Sequence, residues 1–195
     1  MHMDINKITV FCGARSGDNP KFEAAAYKLG EDAAKNDMTI IYGGGATGLM
    51  GAVANGALSV GGDVIGVMPQ FLIDREIAHT GVSDMRVVQN MHERKLELES
   101  LGDAIIMMPG GAGTLEEFFE VFTWGQLGLH EKPIGILNID GYFDPLKEVI
   151  YNAINQGFLE ERYLDMLFVS DNLTDIVEGF KNYTPVAIRN YKDLK

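Results

Sequence analysis

The sequence predicts a doubly wound α/β fold, a mostly parallel sheet with helices on both faces. Three observations predict it. Short β-branched or apolar runs recur along the whole chain, helix-period stretches separate most of them, and three of the runs end in small or glycine-rich turns. Strands alternating with helices are the pattern of a sheet covered on both sides. Several runs are apolar at consecutive positions, as expected of strands buried on both faces.

In chain order, the predicted strands are residues 8–12, 38–42, 64–68, 86–89, 104–108, 134–138 and 166–169. One helix stripe is marked by Phe22, Ala25, Ala26, Leu29 and Ala33. A second is marked by Leu49, Met50, Val53, Ala54, Ala57 and Leu58, and a third by Leu115, Phe118, Phe119 and Phe122. Residues 69–84 are the least regular stretch and read as a loop. No linker, repeat or low-complexity tract interrupts the chain. Residues 1–195 are therefore expected to form one Rossmann-like domain, with a polar, poorly ordered tail at 185–195.

The bulk composition narrows the function. Hydrophobic residues make up 46% and charged residues 23%, which is ordinary globular usage. The net charge is -12, from 16 basic and 28 acidic side chains. A surface this acidic disfavours nucleic acids and anionic membranes, so a bound phosphate has to be held by a local site. No apolar run is long enough to span a bilayer and no signal peptide is evident. The lone Cys12 suits a reducing cytoplasm. The four histidines show no metal-ligand spacing with each other or with Cys12, and no metal is expected.

Ligands of open parallel sheets sit beyond the carboxyl ends of the strands. Three predicted strands lead there into Cys12-Gly13-Ala14-Arg15-Ser16-Gly17, Gly43-Gly44-Gly45-Ala46-Thr47-Gly48 and Pro109-Gly110-Gly111-Ala112-Gly113-Thr114. In the third, glycines let backbone N–H groups approach an anion, and a helix starting near Thr114 adds its positive end. The bland alternative is a tight strand-to-helix turn. Glu117 follows Thr114 by three residues, and that spacing supports two readings. One is a capping box, with the carboxylate reaching back to the cap. The other is a catalytic carboxylate beside a phosphate site. Glu116 is a weaker candidate, and Glu120 reads as a solvated helix charge.

Residues 91–101 form another helix in which Met91, Arg94, Lys95, Leu98 and Leu101 share one stripe. Two cations on an apolar face must snorkel, pair with an acid, or meet a ligand anion. Other constellations are absent: there is no Gly-x-Ser-x-Gly elbow and no P-loop. Gly43 to Gly48 fits a dinucleotide fingerprint only by position, because the strand at 64–68 runs into Pro69-Gln70 without the ribose-binding acid.

Pro109-Gly110-Gly111-Ala112-Gly113-Thr114-Leu115-Glu116-Glu117 resembles the Pro-Gly-Gly-x-Gly-Thr-x-x-Glu signature of the LONELY GUY (LOG) family of cytokinin riboside 5′-monophosphate phosphoribohydrolases. Met91-His92-Glu93-Arg94-Lys95 resembles its second signature. Cys12-Gly13, the Gly43-Gly44-Gly45 run with Gly48-Leu49-Met50-Gly51, and Phe122-Thr123-Trp124-Gly125-Gln126-Leu127-Gly128 are similar as well. The resemblance implies hydrolysis of the N-glycosidic bond of an adenine-type nucleoside 5′-monophosphate, with no cofactor. It implies Arg94 and Glu117 as the catalytic pair. It implies substrate contacts at Lys95, Gly110, Gly111, Ala112, Gly113, Thr114, Leu115, Glu116, Thr123 and Glu76, and a homodimer with its sites near the interface. Gly13, Ser16, Gly44 and Gly45 are expected to line the neighbouring edge; Ser16 would supply a hydroxyl missing at Ala14, where many relatives carry Ser. Arg94 is expected to pair with Glu117 or with ribose hydroxyls and to keep the carboxylate ionised. The wall that chooses between N6-prenylated and plain adenine is expected from 69–84. The family's frequent lysine decarboxylase label finds no Schiff-base lysine here. Related folds include molybdenum-cofactor carriers, which share the phosphate grip without needing the Arg/Glu pair, and a nucleoside-type transferase is a further alternative.

Overall fold

The computed structural model describes residues 4–75 and 78–188. Seven strands form one parallel sheet: β1 (Lys7–Phe11), β2 (Thr39–Tyr42), β3 (Val64–Pro69), β4 (Asp84–Val88), β5 (Ala104–Met107), β6 (Ile134–Leu137) and β7 (Leu167–Ser170). Their order is β4-β3-β2-β1-β5-β6-β7. All seven predicted runs are strands, with ends displaced by up to two residues. The central strands are buried on both faces, the physical reason for their unbroken apolar runs.

The longer helices are α1 (Pro20–Lys35), α2 (Gly48–Ser59), α4 (Met91–Leu101), α5 (Ala112–Gln126), α6 (Asp144–Asn155) and α7 (Leu173–Lys181), with a short α3 (Gln70–Ile73) after β3. They divide between the two faces. Ile8, Val10, Ile40 and Ile106 pack with α1, α2 and α7; Phe11, Ile41, Ile105 and Met107 pack with α4, α5 and α6. Alternate strand residues point to opposite faces, so one sheet supplies both cores.

Local chemistry places the helix starts. Asn19 caps α1, accepting from the Lys21 N–H at 3.0 Å, and Pro20 occupies the first turn. Asn90 caps α4 by accepting from the Glu93 N–H at 2.9 Å, while Glu93 reaches back to the Gln89 N–H at 2.8 Å. Thr9 in β1 donates its hydroxyl to the Leu98 carbonyl at 2.6 Å, fastening α4 to the sheet.

Two expectations change. The α5 stripe is Phe118, Val121 and Phe122, whereas Phe119 is exposed, because the sheet meets a face rotated from the one the aromatic run suggests. The stretch 69–84 is not simply a loop: it holds α3, and Ala78 bridges Gly45 in antiparallel fashion. In the tail, Val186 packs against the second core, and 189–195 lie outside the described residues.

Candidate active site

The chain winds outward from β1 through β2, β3 and β4 on one side, and from β5 through β6 and β7 on the other. The gap between β1 and β5 is therefore the topological switch point, where a crevice forms without further cause. A cavity of about 500 Å³ opens there. The turns after β1 and β5 form its rim and are joined directly, with the Gly13 N–H donating to the Pro109 carbonyl at 3.0 Å. Gly13, Arg15, Ser16 and Gly43 line it from one side; Gly110, Gly111, Gly113, Thr114, Glu116 and Glu117 line it from the other.

Helix α5 begins at Ala112, two residues before the expected start, with Gly111 as its N-cap and no side chain capping it. Thr114 thus lies inside the first turn, and Glu117 lies too far along α5 to cap it. This removes the capping-box reading; Asn90 and Glu93 make that arrangement on α4 instead. The tight-turn reading of the glycines weakens too. None of Gly110, Gly111 and Gly113 has a positive φ. A Cβ on Gly111 or Gly113 would meet no heavy atom within 4 Å, whereas one on Gly110 would overlap the Thr114 hydroxyl. The fold needs glycine at 110. At 111 and 113, the missing Cβ leaves open space beside the free N–H groups of a helix start.

Arg94 is 7% exposed. Its Nε donates to the Val67 carbonyl at 3.0 Å and its Nη2 to the Gly43 carbonyl at 2.9 Å. A Cβ at Gly43 would overlap that guanidinium, so glycine at 43 is a condition of the seat. Among the described residues, no ion pair under 4.0 Å joins Arg94 to Glu117, and Nη1 has no protein hydrogen-bond partner. A guanidinium buried without a paired carboxylate suits a site completed by a ligand.

Burial pushes the Glu117 carboxyl up from 4.5 to about 7. The positive charges of Arg94 and Lys95 oppose this, and the negative charges of Glu116 and Glu120 reinforce it. Arg94 does not keep this carboxylate fully ionised, contrary to expectation: loss of solvent outweighs the attraction. A carboxyl that titrates near neutrality in a cleft is suited to proton transfer or to balancing transient positive charge. The Cys12 thiol in the same cavity is pushed far above its ordinary range by burial and by Glu117, which leaves it unreactive.

Other predicted residues fall elsewhere. Lys95 does not line the cavity; its Nζ pairs with Glu116 at 2.6 Å and Glu120 at 3.0 Å. Glu120 is therefore an ion-pair partner and not a freely solvated charge. Gly44 and Gly45 turn toward the 78–79 segment, where the Gly44 carbonyl accepts from the His79 N–H at 3.0 Å. Ala112 is exposed at the helix start, Leu115 packs into the second core, and Thr123 is exposed more than two turns along α5. Glu76 lies outside the described residues. None of the described part of 69–84 lines the cavity. Its apolar wall comes from Phe22, Leu49, Met50, Met91 and Leu98.

Several lining residues escape the sequence reading, Gly43 and Tyr142 among them. Gly43 had a signal, as the first residue of its glycine run. Tyr142 had none: it follows β6, and its hydroxyl donates to the Gly110 carbonyl at 2.7 Å while its ring meets Phe22 edge-on. Among the described residues, no group of three or more His, Cys, Asp or Glu is placed to hold a metal ion. No helix of the described residues is long and apolar enough to cross a membrane.

A family model described as "Possible lysine decarboxylase" matches residues 50–180. The chain is 40% identical over 179 residues to the cytokinin riboside 5′-monophosphate phosphoribohydrolase LOG7 of Arabidopsis thaliana, covering 92% of this chain and 82% of that protein. It is also 40% identical to LOG of Oryza sativa subsp. japonica, covering 92% and 74% respectively. Among solved structures, the molybdenum cofactor binding protein of Rippkaea orientalis superposes with a TM-score of 0.68 at 22% identity, covering 90% of this chain and 95% of that one. The Moco carrier protein of Chlamydomonas reinhardtii gives 0.68 at 18% identity, covering 92% and 98%. At those identities the likeness establishes the fold alone. Identity near 40% over most of both chains establishes more: this chain belongs to the LOG family of cytokinin riboside 5′-monophosphate phosphoribohydrolases.

Proposed function

We propose that the protein is a hydrolase that cleaves the N-glycosidic bond of adenine-type nucleoside 5′-monophosphates, releasing free base and ribose 5-phosphate. The C1′–N9 bond breaks with its electron pair going to the base. Water supplies the hydroxyl at C1′, and its proton goes to the departing base. The observation that carries this reading is one cavity holding both the open glycine start of α5 and the buried, near-neutral carboxyl of Glu117.

The residues divide by role. The N–H groups at Gly111, Ala112, Gly113 and Thr114 hold the 5′-phosphate, with the Thr114 and Ser16 hydroxyls beside it. That grip places the ribose, so binding energy remote from C1′ favours the reacting geometry. Glu117 in its ionised form offsets the positive charge developing on the sugar and orients the water. Arg94 offers its remaining Nη1 to the ribose hydroxyls. The apolar wall of Phe22, Met50 and Met91 faces the base. No lysine is among the described residues lining the cavity, so the decarboxylase description finds no amine nucleophile there. We place the protein in the cytoplasm as a homodimer, which sedimentation would test; the buried lone Cys12 and the family resemblance support that placement.

Incubation with AMP or with isopentenyl-AMP, followed by chromatography of the free base, tests the reaction. Glu117→Gln should reduce base release at least a hundredfold, about 3 kcal/mol of transition-state stabilisation. Intact nucleotide that remains bound to the wild-type protein would favour a carrier. Base release that requires an acceptor base would favour a transferase.

A further inference from the structure

We propose that Tyr142 is a positioning residue for the nucleotide phosphate: its hydroxyl holds the Gly110 carbonyl, and so keeps the amide groups at the start of α5 free to meet the phosphate. The proposal rests on the reading of that helix start as the phosphate site.

The peptide unit between Gly110 and Gly111 carries one carbonyl and one N–H, which point in opposite directions across a planar trans bond. Fixing the carbonyl therefore fixes the N–H. The Gly110 carbonyl accepts from the Tyr142 hydroxyl at 2.7 Å. That bond also bears on where α5 begins. Among the described residues, Leu115 is the first of α5 whose N–H is bonded within the chain, to the Gly111 carbonyl at 3.2 Å. A bond from the Thr114 N–H to the Gly110 carbonyl would have the same helical spacing. It would lengthen α5 by one residue and consume an N–H assigned to the phosphate. With the carbonyl held by Tyr142, that bond is not made. Glycine at 110 and 111 gives the backbone the freedom to make the exchange, so the open helix start needs a tether.

Tyr142 is itself firmly set. Its ring meets Phe22 edge-on at 5.3 Å and Phe143 edge-on at 4.9 Å. The turn before it uses two left-handed residues, Asp140 at φ 51° and Gly141 at φ 72°. An aspartate in that conformation is uncommon, and here partners hold it. Its carboxylate accepts from the Asn19 Nδ2 at 2.8 Å and from the Lys21 ammonium at 2.9 Å. Asn19 also caps α1, so the turn after β6 is fastened to the start of α1 at the cavity rim. A left-handed turn, an ion pair and two ring contacts thus converge on the aim of one hydroxyl. Tyr142 also lines the cavity, so direct contact of its hydroxyl with the nucleotide is the competing role.

The test compares the wild type with Tyr142→Phe, which keeps the ring between Phe22 and Phe143 and removes one partly exposed oxygen. Backbone amide NMR of both proteins without nucleotide should show the Gly111 and Thr114 signals displaced. Hydrogen exchange at Thr114 should slow about fivefold as its N–H turns to the freed Gly110 carbonyl. KM for AMP and the inhibition constant of ribose 5-phosphate should each rise about fivefold, the size of one neutral hydrogen bond, with kcat within about twofold. Inhibition by adenosine, which carries no phosphate, should be unchanged. Raised constants with unmoved amide signals would make the Tyr142 hydroxyl a direct ligand and overturn the proposal. Unchanged constants would overturn it whether or not the signals moved, because the bond would then serve the fold alone. An equal loss for adenosine would place the effect away from the phosphate and overturn it as well. If the wild-type protein bound ribose 5-phosphate yet released no base from AMP, the assignment of the reaction would fail, while the amide signals and the ribose 5-phosphate titration would still decide the role of Tyr142.

Discussion

In the folded chain the Glu117 carboxyl keeps its proton up to about pH 7, against an ordinary value of 4.5. The same burial that tunes the group therefore weighs against the fold, and Glu117→Gln exposes the cost. Below pH 4.5 the folded and unfolded chains both hold the proton, so Glu117 contributes no pH dependence. Between 4.5 and 7 the unfolded chain releases it and the folded chain does not, so stability falls as pH rises. Above 7 the loss is complete. At about 1.4 kcal/mol per pH unit, the gap between the two midpoints amounts to about 3 kcal/mol. Glutamine fills the same space and never ionises. Glu117→Gln should therefore be more stable than the wild type by about 3 kcal/mol at pH 8, roughly 6–12 °C in Tm for a chain of this length, with no such pH-dependent gain at pH 4. Urea unfolding of both proteins at the two pH values measures the difference of differences. An equal effect at pH 4 and pH 8, or a wild type that is the more stable at pH 8, would refute the argument that burial controls this carboxyl. Greater stability together with lost base release is the signature of a group retained for chemistry.

Three other outcomes follow from the same geometry. On the proposed role of Glu117 as an ionised carboxylate, kcat for AMP should fall on the acid side of about pH 7 with unit slope, and Glu117→Gln should abolish that limb. Gly43→Ala would drive a methyl group into the Arg94 guanidinium and disrupt two charged hydrogen bonds to backbone carbonyls, worth about 1.5–3 kcal/mol each. The expected loss in kcat/KM is a hundredfold or more, and a variant within threefold of wild type would show that the seat of Arg94 is irrelevant to catalysis. Gly113→Ala lies in the first turn of α5 with open space beyond it, so stability should hold or rise by about 0.5–1 kcal/mol in thermal melts. KM for AMP should nevertheless rise about tenfold, because the methyl group enters the space assigned to the phosphate; an unchanged KM would return these glycines to a purely structural role.

The sheet, the glycine turns and the helix carrying two cations on an apolar face can all be read from the chain before it folds. These are legible because they are local: strands buried on both faces read as apolar runs, and a helix face repeats every three to four residues. The order of strands and helices then brings the turns after β1 and β5 together at the switch point, and with them Gly13, Ser16, Gly110 and Thr114. The tertiary structure alone decided what the charged groups do. Arg94 finds the Gly43 carbonyl 51 residues away, Tyr142 reaches Gly110 across 32, and Lys95 meets Glu116 across 21. Spacing could not separate a capping box from a catalytic carboxylate at Glu117, because both place Glu three residues after Thr. The helix start two residues earlier excludes the capping box, and loss of solvent raises the proton affinity. Protonation depends on solvent exclusion and on charges brought near by folding, and neither is a property of neighbouring residues in the chain.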